Sequence, residues 1–122
     1  RGQTLRGFES LTIRHRAQIK IIMDKIHHIA IQVKNISESV EWYKKKFKVE
    51  VSYQDETWAM IDFDNTSLAL VLAEQHPYHF AIESDEAESY GALTKHRDGT
   101  ASVYIKDMDG NNIEMIELHD NE

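Results

Sequence analysis

Cysteine is absent from the 122-residue chain. That excludes disulfide bonds and any covalent chemistry through a thiol nucleophile. Long apolar runs are missing too: no stretch approaches the roughly 20 residues a helix needs to cross a bilayer, and no segment with an apolar centre and a small-residue cleavage site is visible. A cytoplasmic protein with no membrane partner is expected. Basic residues are in short supply, 14 Lys and Arg against 21 Asp and Glu for a net charge of −7. A nucleic-acid partner needs a basic surface, so that class is excluded as well.

What remains is a small domain with 41% hydrophobic residues, enough for one core. Its charge is unevenly placed. Residues 1–22 hold five Arg or Lys and one Glu, a balance of +4, so residues 23–122 carry −11 of the total −7. Met23-Asp24-Lys25-Ile26 reads like a natural start, so the basic arm is expected to be either upstream coding sequence or an added leader. Within the arm, Leu11, Ile13, Ala17, Ile19 and Ile21 alternate with Thr12, Arg14, Gln18 and Lys20, a period of two suited to a half-buried strand. An ordered extra strand is expected there, and residues 23–122 are expected to form the domain proper.

Two segments of that domain read alike. Ile26-His27-His28-Ile29-Ala30-Ile31-Gln32 and Pro77-Tyr78-His79-Phe80-Ala81-Ile82-Glu83 each place a histidine at the head of an alternating apolar run. In an extended strand His28, Ala30 and Gln32 share one face and Ile29, Ile31 and Val33 the other; His79 and Ala81 repeat that parity. A third segment, Asp109-Gly110-Asn111-Asn112-Ile113-Glu114-Met115-Ile116, is a turn signal followed by a strand with one acidic residue. A lone strand histidine is more often packed than ligating. Duplicated context around two of them, with a glutamate beside, points instead to a shared site. Two imidazoles and a carboxylate on rigid strands can bind one divalent ion and leave positions free for water or substrate.

These residues resemble the vicinal oxygen chelate superfamily, which includes glyoxalases, fosfomycin-resistance proteins, extradiol dioxygenases and bleomycin-binding proteins. The matching segments are His28 to Val33, Ser37 to Tyr43, His79 to Ile82 and Asp107 to Glu114, within about residues 24–118. The resemblance implies an α+β fold of paired βαβββ modules, curving as a mixed sheet around a cleft, with modules at about 24–74 and 77–118. It implies metal ligands at His28, His79 and Glu114, a small-molecule substrate, one divalent ion (Zn, Mn, Fe or Ni) and a homodimer. Where many glyoxalases supply a fourth ligand, this chain reads Leu68-Ala69-Leu70-Val71-Leu72, which offers none. Three ligands are similar to the fosfomycin-resistance enzymes and to the two-histidine, one-carboxylate iron sites, although Ala30 stands where the fosfomycin group has threonine. The activities left open are a glyoxalase-like lyase or isomerase, a transferase, a ring-cleaving dioxygenase, and metal-free binding of a small molecule as in bleomycin resistance.

Coarse elements follow from periodicity. Strands are expected at about 26–33, 48–53, 57–63 and 67–73, with a helix capped by Ser37 that buries Val40, Tyr43 and Phe47 and places Trp42 in the core. The second half reads as strand 78–83, a brief helix near 85–95, and strands 100–106 and 111–118, with little room for its second strand. His27 faces away from His28, while His76 and His119 read as surface residues at strand ends. His96 and Arg97 fall in a loop at the cleft mouth, where a cation could hold an anionic substrate. Ser102 and Tyr104 share one face of their strand, and Tyr104 is expected to bond a substrate oxygen from inside the cleft.

Overall fold

A computed structural model describes residues 22–118; the basic arm, with its expected extra strand, and His119 lie outside the described residues. Eight strands form one curled sheet. In chain order they are β1 (Ile26–Gln32), β2 (Glu50–Gln54), β3 (Trp58–Asp62), β4 (Ser67–Val71), β5 (His79–Glu83), β6 (Thr94–Lys95), β7 (Ala101–Lys106) and β8 (Asn112–Glu117), with one helix, α1 (Ile36–Lys46), after β1. Their order across the sheet is β2-β3-β4-β1-β5-β8-β7-β6. Each half repeats the other. β1 lies parallel to β4 as β5 lies parallel to β8, and the halves meet along the antiparallel β1–β5 seam. The α+β fold of paired modules around a cleft is therefore present, with the second module shortened.

Side-chain alternation sorts the first module's strands between two layers. On the convex side Ile36 and Val40 of α1 pack on Ala59, Ile61 and Leu70. On the concave side Ala30, Met60, Ala69 and Val71 form a second cluster, joined by Tyr53 and Trp58. Val40, Ile61 and Leu70 are almost fully buried, and each such aliphatic side chain contributes roughly 1.5–3 kcal/mol. The helix begins one turn-half earlier than the sequence suggests: Asn35, not Ser37, is the cap, its side chain accepting the Glu38 backbone N–H at 2.9 Å. Trp42 is not core. It is 52% exposed, its ring edge-on to Tyr43, because residues one apart on a helix cannot share a buried stripe.

The second module departs further from the expectation. The helix expected near 85–95 is a single 3₁₀ turn, Ala87–Tyr90, ended by Gly91 at φ 152°. The strand expected to be missing is present as the two-residue β6, which pairs Thr94 with Ser102 and Lys95 with Ala101. Beyond that pairing, the outer backbone edge of β7 from Val103 to Lys106 has no strand partner among the described residues.

Candidate metal centre

Four neighbouring strands bring one rung of residues into line across the concave face. His28 on β1 pairs with Ala81 on β5, Ala81 with Glu114 on β8, and Glu114 with Tyr104 on β7. His79 enters from the next rung, opposite Ala30. Alanine at 30 and 81 matters because both are buried flush with the sheet, which leaves space above them. The larger His28 and Glu114 side chains lean into that space over Ala81. Their Nε2 and Oε1 atoms lie 3.2 Å apart, and His79 Nε2 lies 3.1 Å from the same oxygen. All three side chains are buried, and the three donor atoms lie within 4.8 Å of one another.

Both rings point the same end inward. His79 Nδ1 donates to the Pro77 carbonyl oxygen at 2.8 Å, which turns Nε2 toward Glu114. His28 Nδ1 is engaged outward at 2.8 Å by His27 Nδ1. Two ring nitrogens thus converge on one carboxylate oxygen. Ligands held about 2.0–2.2 Å from one ion sit a little over 3 Å from each other, which matches the spacings found here. The donor set fits a divalent ion.

Burial alone would raise the Glu114 carboxyl. Bonds to His28, His79, His96 and Ser102 outweigh it and hold the group well below the ordinary carboxylate range, so it is an anion. Its second oxygen lies 3.5 Å from His96 Nε2, which bonds the Ser102 hydroxyl at 2.7 Å. The bond to Glu114 pulls His96 upward against its burial. Ser102 is 1% exposed and serves as the internal anchor of His96, not as a wall of the pocket. Arg97 also turns away from the pocket: Nη1 lies 3.0 Å from Asp55 and Nη2 donates to Thr57 at 2.7 Å, tying the loop of the second module to the β2–β3 turn of the first.

The pocket over the triad holds about 50 Å³, room for a few water-sized groups. Trp58, Met60, Ala69 and Val71 make its apolar wall; Tyr104, His76 and His96 stand on the polar side. Tyr104 lines the pocket. Burial and then the Glu114 charge push its hydroxyl upward from its ordinary value, so it stays protonated. His76 was expected at the surface and instead lines the pocket, its Nδ1 3.3 Å from the Tyr104 hydroxyl. His27 was expected to face away from the site. Beside a register shift between Ile26 and His28, its ring instead meets His28, and burial lowers its basicity.

The chain is thus a half-barrel of two repeated modules with a two-histidine, one-carboxylate cluster on its concave face. The model of the Glyoxalase/Bleomycin resistance protein/Dioxygenase superfamily matches residues 25–115, and the chain belongs to that superfamily. Solved structures similar in fold include a hypothetical protein from Bacillus halodurans C-125, with TM-score 0.64 and 16% identity over 81% of this chain and 97% of that one. A superfamily member from Vibrio splendidus 12B01 has TM-score 0.55 and 14% identity over 79% of this chain and all, 100%, of that one. An NAD-dependent benzaldehyde dehydrogenase from Legionella pneumophila has TM-score 0.57 and 17% identity over 75% and 98%. At these identities the likeness is one of fold alone. No curated protein matches the sequence.

Proposed function

We propose that the protein is a metal-dependent enzyme acting on a small, oxygen-rich substrate, with lyase, isomerase or transferase chemistry of the glyoxalase kind. The observation that carries this reading is the convergence of His28 Nε2 and His79 Nε2 on Glu114 Oε1 at 3.2 and 3.1 Å. These three residues would hold the ion. Bound there, a divalent ion supplies Lewis acidity to adjacent oxygens of a substrate. Tyr104 offers a hydroxyl proton to a substrate oxygen, kept in place by its raised basicity. His96 steadies the Glu114 carboxylate through its second oxygen and is itself anchored by Ser102. Trp58, Met60 and Val71 keep bulk water from the apolar side, which strengthens each electrostatic contact inside. Metal-free binding of a small molecule, as in bleomycin resistance, is disfavoured by the convergence of three buried side chains with metal-ligating atoms.

Elemental analysis of freshly purified protein tests the reading. The wild type is expected to hold about one divalent ion per chain, with His79→Ala losing most of the metal and His27→Ala keeping it. Equal occupancy in wild type and His79→Ala would reject His79 as a ligand.

A further inference from the structure

The polar side of the pocket contains a histidine that the metal reading leaves without a role. His76 stands in the β4–β5 connection, and its backbone is pinned twice: its N–H donates to the Leu72 carbonyl at 3.0 Å, and the Gln32 side-chain amide donates to its own carbonyl at 3.0 Å. The ring is therefore set by the fold and not by a loose loop. Across the pocket its Nδ1 meets the Tyr104 hydroxyl at 3.3 Å. That hydroxyl also lies 3.4 Å from both ring nitrogens of His79, and an equal distance means it is aligned with neither lone pair. His79 Nδ1 is already spent on Pro77. The lone pair available to Tyr104 is that of His76.

Charge decides what this pair can receive. Among the described residues, no lysine or arginine lines the pocket, whereas Asp98 and Glu114 do. The nearby arginine, Arg97, is held by Asp55 and Thr57. His96 spends its Nε2 on Ser102 and Glu114. A carboxylate or phosphonate end placed against His76 and Tyr104 would meet no lysine or arginine and would share the pocket with Asp98. A hydroxyl group, which donates and accepts at once, would find both functions in a phenol and an imidazole.

Building on the metal reading above, we propose that His76 and Tyr104 form a hydrogen-bonding pair that selects, beside the metal, a neutral hydroxyl-bearing ligand over an anionic one. His76 is then a specificity residue, and Arg97 is a fastening between modules, not the anion clamp that its place in the loop suggests.

The test uses the full chain loaded with cobalt(II) at pH 7.5, with hydroxyacetone and pyruvate as the neutral and anionic probes. Binding is read from the visible cobalt spectrum and from tryptophan fluorescence. One lost hydrogen bond predicts that His76→Phe weakens hydroxyacetone about 5-fold and pyruvate less than about 2-fold at unchanged cobalt content, with His76→Gln restoring most of the loss. Tyr104→Phe should give the same selective pattern, and decides the matter if His76→Phe does not fold. Equal weakening of both probes, or no weakening of either, overturns the proposal. Failure of the wild type to take up cobalt overturns the metal reading, and this inference falls with it.

Discussion

Asp55 shows how much one side chain organises outside the metal centre. Its Oδ1 accepts the Thr57 N–H at 2.7 Å, the Thr57 hydroxyl at 2.8 Å and the Trp58 N–H at 3.0 Å, while Oδ2 takes the Tyr53 hydroxyl and Arg97. Burial pushes this carboxyl up, but bonds from Tyr53, Thr57 and Trp58 prevail and hold it far below its ordinary value. The sign follows from linkage. A carboxyl depressed in the folded state stabilises the fold above its unfolded pKa of about 3.9, and that contribution disappears as pH falls through the folded value. Asp55→Ala should cost about 1–3 kcal/mol at pH 7, with the difference from wild type shrinking below about pH 4. Thermal melts at pH 7 and pH 3 measure both. A gap that grows on acidification would contradict the assignment. Residues at this scale were unevenly legible. His28, His79 and Glu114 announce themselves through the repeat, but nothing near His76 in the chain points to Tyr104, 28 residues away.

Elements were legible wherever one face is buried. β1, β3, β4, β5, β7 and β8 fall close to where alternation puts them, because a one-residue slip would carry every apolar side chain to the wrong layer. Ends and short pieces escaped. Asn35 and Ser37 are both good caps, and the choice between them is made by Ile36, buried at 3% against Ala59, Ile61 and Leu70. The turn over Ala87–Tyr90 stays one turn long because Gly91 leaves helical geometry at φ 152°. A Cβ there would also stand 3.1 Å from Val103 Cγ2. Gly91→Ala is accordingly expected to destabilise by about 1–3 kcal/mol from its strained backbone, seen as a lower denaturation midpoint with metal content unchanged. An unchanged midpoint would show that the turn absorbs the substitution.

At the scale of the whole molecule, the unequal modules leave the outer edge of β7 without a strand partner from Val103 to Lys106 among the described residues. Open edges are usually covered, by another segment or another chain. The alternating pattern of residues 11–21 suits such a cover, and a homodimer is the other expectation. Deleting residues 1–22 should lower the melting temperature or reduce the mass seen in light scattering, while the ligands at 28, 79 and 114 retain their metal. A truncated protein that melts and assembles like the full chain would make the arm a passive appendage. Among the described residues, no helix is long and apolar enough to cross a membrane.

Sequence by itself determined the repeat, the alternation of its strands and the three candidate residues His28, His79 and Glu114. Each is a consequence of local periodicity: strand parity sets which neighbours share a face with His28, with His79 and with Glu114 within each strand. Only the tertiary structure decided which other groups share that face. The β1–β5–β8–β7 register puts Tyr104 beside Glu114, His27 meets His28 beside the irregularity at Ile26–His28, and Gln32 holds His76 over the pocket. Arg97 goes to Asp55 for the same reason. These are contacts between distant parts of the chain, set by how the curled sheet brings its edges together, and no local pattern encodes them.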